Sequence, residues 1–126
     1  LEQYRQGEYG DAEVSFRRAL AVQPRFAEAA ANLGNALSQQ GRFAEAAQFY
    51  RMALPGLPVS ARPGILQNLG NSLLKRNRLS EAVEAYRNVL RLRPGHVPAQ
   101  RNLSYVLRKM TEKAEKKPLI RNIAQT

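Results

Sequence analysis

"LQNLGNSLLKRNRLSEAVEAYRNVLRLRP", residues 66–94, contains two runs of apolar residues at helical spacing, separated by a short polar break. Residues three and four positions apart share one face of a helix, so each run predicts an amphipathic helix. The break, KRNR, has the length of a turn between antiparallel helices. The stretch therefore predicts a helical hairpin whose apolar positions are Leu66, Leu69, Leu73, Leu79, Val83, Tyr86 and Leu90.

Parts of this stretch recur along the chain at a nearly fixed period. NLGN occurs at residues 32–35 and 68–71, and the related NLSY at 102–105, so the intervals between their first residues are 36 and 34. A second landmark, Ala followed four residues later by an aromatic residue, begins at Ala12, Ala46 and Ala82, with intervals of 34 and 36. A period in this range predicts an array of stacked repeats.

The order of these landmarks resembles the tetratricopeptide repeat (TPR), in which Leu-Gly lies on the first helix and Ala-x-x-x-aromatic on the second, with Pro after it. The opening segment has only the second half of this pattern, and the closing segment only the first. The resemblance implies an all-α fold, an α-solenoid of antiparallel helix pairs (a TPR superhelix) with a C-terminal capping helix. The two complete matches are Leu33, Gly34, Ala46, Tyr50 and Pro58, and Leu69, Gly70, Ala82, Tyr86 and Pro94.

The pattern also predicts the repeat boundaries. We expect the second helix of a partial first repeat in residues 1–26, TPR repeats in 27–60 and 61–96, the first helix of a fourth repeat as the capping helix in 97–117, and a tail in 118–126. The last helix is expected to stop by Pro118. Because the pattern starts halfway through a repeat, we expect the chain to be part of a longer protein. Its first repeat is expected to self-associate, or to pack on an upstream repeat, through Val14, Phe16 and Leu20.

The glycines of NLGN predict a close approach of two helices. Gly costs roughly 1 kcal/mol against Ala inside a helix, so its recurrence points to a packing requirement. We expect Gly34, Gly70 and Ser104 to lie where helices cross, opposite Ala46 and Ala82. A larger side chain there would overpack the crossing at a cost of about 1–3 kcal/mol.

The net charge of the chain, +10, resides in its second half. Residues 1–61 contain six Arg and six acidic residues, whereas residues 62–126 contain fourteen Lys and Arg against four Glu. This asymmetry predicts an acidic partner, whether peptide, nucleic acid or membrane surface, and the alternative is a basic surface kept for solubility. No apolar run reaches the roughly 18–20 residues of a membrane span.

The asparagines of the repeated string predict a binding groove. In TPR arrays the first helix of each repeat lines the concave surface, so the resemblance places Asn32, Asn68 and Asn102 along the groove as a ladder. An Asn amide has one acceptor and two donors and can hold both the N–H and the C=O of an extended peptide. The alternative is that these side chains only bond neighbouring helices. The other predicted site residues shape the groove or select negative charge: Asn35, Asn71, Tyr105, Lys75, Arg101, Arg108 and Lys109.

One branch of the TPR family, the carboxylate-clamp domains, grips acidic chaperone tails with two Asn and three basic residues. Alignment of residues 27–60 with the first clamp repeat retains Asn35 and Asn68. However, Ala31 occupies the position of a clamp Lys, and Pro98 and Asn102 occupy the positions of the last two basic residues. These differences disfavour a chaperone-tail adaptor.

Catalytic motifs are absent from the sequence. The single His96 lies in a Pro-Gly-His turn, Cys is absent, and no phosphate loop, H-E-x-x-H or metal-ligand spacing occurs. We therefore predict a non-catalytic interaction scaffold that requires no cofactor and binds an extended, acidic peptide. The alternatives are binding of nucleic acid or another polyanion, or a targeting or oligomerisation module of a larger enzyme. Nucleic acid is disfavoured because Tyr105 is the one aromatic residue of the basic half expected to be exposed for base stacking.

Overall fold

The structure, a computed structural model, describes residues 26–125, with side chains to residue 116, and two earlier residues, Val14 and Arg18, which are helical. Phe16 and Leu20, two of the residues expected to self-associate, lie outside the described residues, and Val14 is 50% exposed. Residues 26–125 contain no strand, and the predicted all-α solenoid is confirmed. The helices are α1 (Ala27–Gln39), α2 (Phe43–Ala53), α3 (Arg62–Lys75), α4 (Leu79–Leu92) and α5 (Val97–Gln125), with short 3-10 turns at Leu54–Gly56 and Val59–Ala61.

The same kind of tight turn joins α1 to α2 and α3 to α4. Gly41 (φ 77°) and Asn77 (φ 59°) adopt the left-handed conformation, which these two residue types tolerate best. In the second turn the backbone N–H of Arg78 donates to the carbonyl of Leu73 at 2.8 Å, and the first turn closes in the same way. This closure ends the first helix of each pair and reverses the chain, so the paired helices lie antiparallel.

Helix α5 lacks such a turn and is much longer than the others. Thr111 stands 34 residues after Asn77, and a β-branched residue strongly disfavours a positive φ. Its Oγ1 donates instead to the carbonyl of Leu107 at 3.0 Å, within the helix. The helix then continues through Pro118 to Gln125, so the predicted helix end at Pro118 is wrong. A proline inside a helix removes one backbone hydrogen bond and bends the helix, and here the chain remains helical beyond it.

The helices stack so that one side of the array is tighter than the other. The backbone of helix α3 lies close to those of both α1 and α5, whereas the backbones of α2 and α4 lie further apart and an ion pair between Arg51 and Glu81 joins these two helices. Helices α1, α3 and α5 therefore form the inner surface of a curved stack, and α2 and α4 form the outer surface. The predicted position of the first helix of each repeat, on the inner side, agrees with this arrangement.

Each pair of helices is held together by an aromatic ring packed on a glycine. A Cβ atom placed on Gly34 would lie 2.7 Å from the ring of Tyr50, and one on Gly70 would lie 2.5 Å from the ring of Tyr86. Both tyrosines are buried, with exposures of 1% and 0%. The close contact is therefore with the aromatic residue one turn beyond the predicted alanines, because the ring projects further than a methyl group. Ser104, predicted to play the same part, is exposed on α5.

We expect Gly70→Ala to destabilise the fold and Gly64→Ala, in the same helix, to stabilise it. Overpacking against Tyr86 costs about 1–3 kcal/mol. The added helix propensity returns about 1 kcal/mol, so the free energy of unfolding should fall by up to about 2 kcal/mol. A Cβ on Gly64 meets nothing within 4 Å, so Gly64→Ala gains helix propensity without any cost of overpacking. Urea unfolding followed by circular dichroism measures both, and equal stabilities of the two variants would contradict the packing argument.

Candidate functional site

The hydroxyl of Tyr50 is hydrogen-bonded to an asparagine of the inner surface. Tyr50 Oη, from α2, donates to Oδ1 of Asn35 on α1 at 2.7 Å. Nδ2 of Asn68, on α3, donates to the same oxygen at 3.1 Å. One amide oxygen thus connects three helices. We call Tyr50, Asn35 and Asn68 the first triad.

The next repeat contains the same arrangement. Tyr86 Oη, from α4, donates to Oδ1 of Asn71 on α3 at 2.7 Å, and Nδ2 of Asn102 on α5 donates to it at 3.0 Å. A longer bond of 3.4 Å reaches the same oxygen from Nε2 of the buried Gln67. We call Tyr86, Asn71 and Asn102 the second triad. The network repeats because stacking brings each inner helix against the next.

Both tyrosine hydroxyls are protonated at neutral pH and able to donate, and burial extends this state to higher pH. Desolvation raises the pKa of Tyr86 to about 12, and the nearby amide of Asn102 partly opposes that rise. Desolvation likewise raises the pKa of Tyr50, and a hydrogen bond with Ser38 opposes that rise. A neutral phenol donates its proton to an acceptor, so the oxygens of the two central asparagines are fixed toward the tyrosines.

A cavity of about 330 Å³ opens at the first triad, and its lining side chains carry no charge. The hydrogen bond to Asn35 uses one amide hydrogen of Asn68, which leaves its Oδ1 and its second N–H for a ligand. The same holds for Asn102 in the second triad. The site thus offers paired amide donors and acceptors suited to a peptide backbone. The cavity is lined by Asn35, Ser38, Gln39, Tyr50, Asn68 and Asn71.

On two inner helices a lysine follows these amides along the same stripe. Residues at positions i, i+3 and i+7 lie one above another on a helix. Nζ of Lys109 lies 5.4 Å from the centre of the Tyr105 ring, within the range of a cation–π contact. Positive charge therefore lies on the C-terminal side of the amides on both helices. The stripes are Asn68, Asn71 and Lys75 on α3, and Asn102, Tyr105 and Lys109 on α5.

The remaining predicted site residues lie further from the triads. Asn32 is exposed on α1 and belongs to neither triad. Arg101 and Arg108 are exposed on α5, to one side of the stripe that contains Asn102. The structure thus brings four of the predicted asparagines into hydrogen-bonded contact and leaves the basic residues around them.

The acidic residues of α4 lie on the outer surface and are paired there. The carboxylate of Glu81 is 2.6 Å from Arg51 of α2 and 3.9 Å from Arg78, and the hydrogen bond from Arg51 is the main cause that lowers its pKa. Glu84 lies 3.8 Å from Arg91. These carboxylates therefore face away from the lysines of the inner stripes and do not neutralise them.

Sequence reasoning missed the part played by the two tyrosine hydroxyls and by Gln67. The repeat pattern predicts only that these two positions are aromatic core residues, and it does not distinguish tyrosine from phenylalanine. The available signal was their spacing, because each lies 15 residues after an Asn of the NLGN string.

No catalytic arrangement appears in the described part of the chain. Nδ1 of His96 accepts the backbone N–H of Ala99 at 3.2 Å and so caps the start of α5. The described residues contain no group of three or more His, Cys, Asp and Glu side chains that could hold a metal ion. No helix among them is long and apolar enough to cross a membrane.

Comparison with known families assigns the chain. Two profiles of the tetratricopeptide repeat match it, one over residues 1–61 and the other over residues 63–96. The chain therefore belongs to the tetratricopeptide repeat family, as its sequence pattern predicted. A search of curated protein sequences finds no significant match.

Similar solved structures include several TPR domains. The first TPR of Spaghetti (RPAP3) bound to the HSP90 peptide SRMEEVD has a TM-score of 0.68 at 20% identity, over 87% of this chain and 86% of that one. The N-terminal domain of stress-induced protein-1 (STI-1) from C. elegans has a TM-score of 0.66 at 21% identity, over 79% and 82%. The second TPR domain of human RPAP3 in complex with the HSP70 peptide SGPTIEEVD has a TM-score of 0.65 at 23% identity, over 82% and 84%. Identities this low show a shared fold.

We expect Tyr86 to make the fold less stable in alkaline solution. An unfolded tyrosine ionises near pH 10, whereas the folded pKa is about 12, so above about pH 10 the unfolded state loses a proton that the folded state retains. The free energy of unfolding should therefore fall as the pH rises from about 10 to about 12.

In Tyr86→Phe this fall should be smaller. Urea unfolding over a pH series measures the effect, with Tyr105→Phe as the matched control because Tyr105 is 44% exposed. If Tyr86→Phe shows the same alkaline slope as the unmodified chain, the buried hydroxyl does not contribute as stated.

Proposed function

We propose that this chain is a non-catalytic interaction module whose inner surface binds an extended, acidic peptide. The observation that carries the proposal is the repeated inner stripe, in which a hydrogen-bonded amide is followed by a lysine on both α3 and α5. Amides serve the ligand backbone, and the lysines serve its carboxylates. Two adjacent copies of this pair favour a ligand that runs along the stack.

The amides support recognition of a main chain in an extended conformation. Asn68 and Asn102 each retain an acceptor and a donor after their bonds within the triads. The N–H and C=O groups of a helical peptide are already paired within the helix, whereas those of an extended peptide are available. Such contacts do not depend on ligand side chains, so they supply affinity without sequence preference.

The basic residues support the preference for acidic side chains. Lys75 and Lys109 lie beside the amides, and Arg101 and Arg108 flank them, all exposed on the inner helices. The RPAP3 domains of similar fold bind peptides that end in EEVD, which are acidic. Their terminal carboxylate is not the expected ligand feature for this chain, because Ala31 occupies the position of a clamp lysine. We infer that acidic residues within a peptide are recognised instead.

The spacing of the helices limits the spacing of those acidic residues. Packed helix axes lie about 8–10 Å apart. An extended chain in the polyproline II conformation advances about 3.1 Å per residue and presents every third side chain on the same face, so lysines on adjacent inner helices meet ligand positions three residues apart. The favoured ligand therefore has Glu or Asp at every third position over the length of the groove.

We expect an Asn68→Ala/Asn102→Ala variant to bind such a peptide at least about fivefold more weakly, because two hydrogen bonds of about 0.5–1.5 kcal/mol each are lost. The probe is a fluorescein-labelled peptide of about twelve residues with Glu at every third position. Fluorescence anisotropy in about 150 mM salt measures the affinity. Circular dichroism checks that the variant is folded, and unchanged affinity in a folded variant would contradict the proposal.

Two charge variants distinguish the groove from the basic surface as a whole. Lys75→Gln/Lys109→Gln removes two charges from the inner stripes, and Arg87→Gln/Arg91→Gln removes two from the outer helix α4. Binding in the groove predicts that the first variant weakens binding of the peptide and that the second does not. Equal losses in both variants, together with equal binding of single-stranded DNA, would favour a general polyanion-binding surface and contradict the groove.

A further inference from the structure

The tyrosine hydroxyl of each triad is an addition that ring packing does not require. The Ala-x-x-x-aromatic step occurs three times in the sequence, and its first copy ends in Phe16. Both steps that end in tyrosine have an Asn 15 residues earlier, whereas Phe16 has Leu1 at that distance. Within this chain, therefore, the hydroxyl occurs where an inner-surface amide is present to receive it.

The geometry of the second triad shows what the hydroxyl does. Tyr86 Oη lies 2.7 Å from Oδ1 of Asn71 and is buried with its ring. A carboxamide group is planar and carries its oxygen and its nitrogen on opposite sides. The hydrogen bond from the hydroxyl therefore fixes whether the oxygen or the nitrogen of Asn71 points toward the neighbouring helix. The oxygen faces Asn102, which must then present its nitrogen to it, at 3.0 Å. Tyr86, acting through Asn71, thus sets the orientation of the Asn102 amide.

We propose that Tyr50 and Tyr86 are positioning residues for the ligand. Each acts through the central Asn of its triad and holds the outer amide, that of Asn68 or Asn102, with one N–H turned inward and Oδ1 free. That oxygen accepts a backbone N–H of the bound peptide. The inference rests on the proposed function and deepens it, since it names the groups that orient the ladder.

A specificity follows from the fixed orientation. At the two ligand positions that meet Asn68 and Asn102, the peptide must donate an N–H, so proline or an N-methylated residue is rejected there. Asn32 belongs to neither triad, and the aromatic residue of the preceding step is Phe16, which has no hydroxyl. Asn32 therefore contributes less to binding than Asn68 and Asn102.

The test is a double-mutant cycle on the affinity for the Glu-containing peptide described above. Tyr86→Phe retains the ring and should weaken binding about fivefold to tenfold, the effect of one hydrogen bond. In an Asn102→Ala background the same change should have no further effect, because the amide that it orients is gone. Asn88→Ala, on the outer helix α4, serves as the control and should leave the affinity unchanged. Unchanged affinity in Tyr86→Phe, or an equal loss in both backgrounds, would overturn the inference.

A measurement without ligand separates this inference from the proposed function. In the peptide-free chain, the NMR order parameter of the Asn102 side-chain amide should be about 0.85, the value typical of rigid backbone. In Tyr86→Phe it should drop below about 0.6. If the unmodified chain binds no acidic peptide, the proposed function fails and the order parameter alone decides the positioning role. An order parameter that is unchanged by the substitution overturns it.

Discussion

The packing of a tyrosine ring on a glycine is the contact on which the rest of the structure depends. Because Gly70 has no Cβ, the ring of Tyr86 fits between the two helices of its pair and is fully buried, and Gly34 and Tyr50 repeat the contact. The ring holds the pair together, and its buried hydroxyl donates a hydrogen bond to an asparagine of the inner helix. The side chain that makes the core is therefore also part of the groove.

The stacking of these units turns a local contact into a binding surface. Inner helices of adjacent units meet, and this brings the amide of one repeat within hydrogen-bond distance of the next, as for Asn35 and Asn68 at 3.1 Å. The charges are divided between the two surfaces, with the acids of α4 paired to arginines outside and lysines following the amides inside. The stacked helices alone therefore form a polar groove that is bordered by positively charged side chains.

Much of this architecture could be predicted from the sequence, because periodicity reports which residues are buried. The recurrence of NLGN and of Ala-x-x-x-aromatic predicted the helix pairs and the family, both confirmed. The tyrosine rings as the nearest neighbours of the glycines were not predicted, since spacing along a helix does not say whether the alanine or the ring one turn later comes closer. The triads were missed because they join side chains of three helices, which requires the stacking geometry. The predicted helix end at Pro118 is wrong, because a proline that bends a helix does not always end it. The peptide-contacting residues remain predictions.

The most direct test of a peptide bound along the inner surface is an NMR titration of the chain with the Glu-containing peptide. The account predicts that the side-chain amide resonances of Asn68 and Asn102 shift together with the signals of Lys75 and Lys109, while the signals of the outer helix α4 stay in place. Shifts confined to α2 and α4, or spread over all basic residues without the two asparagines, would contradict it.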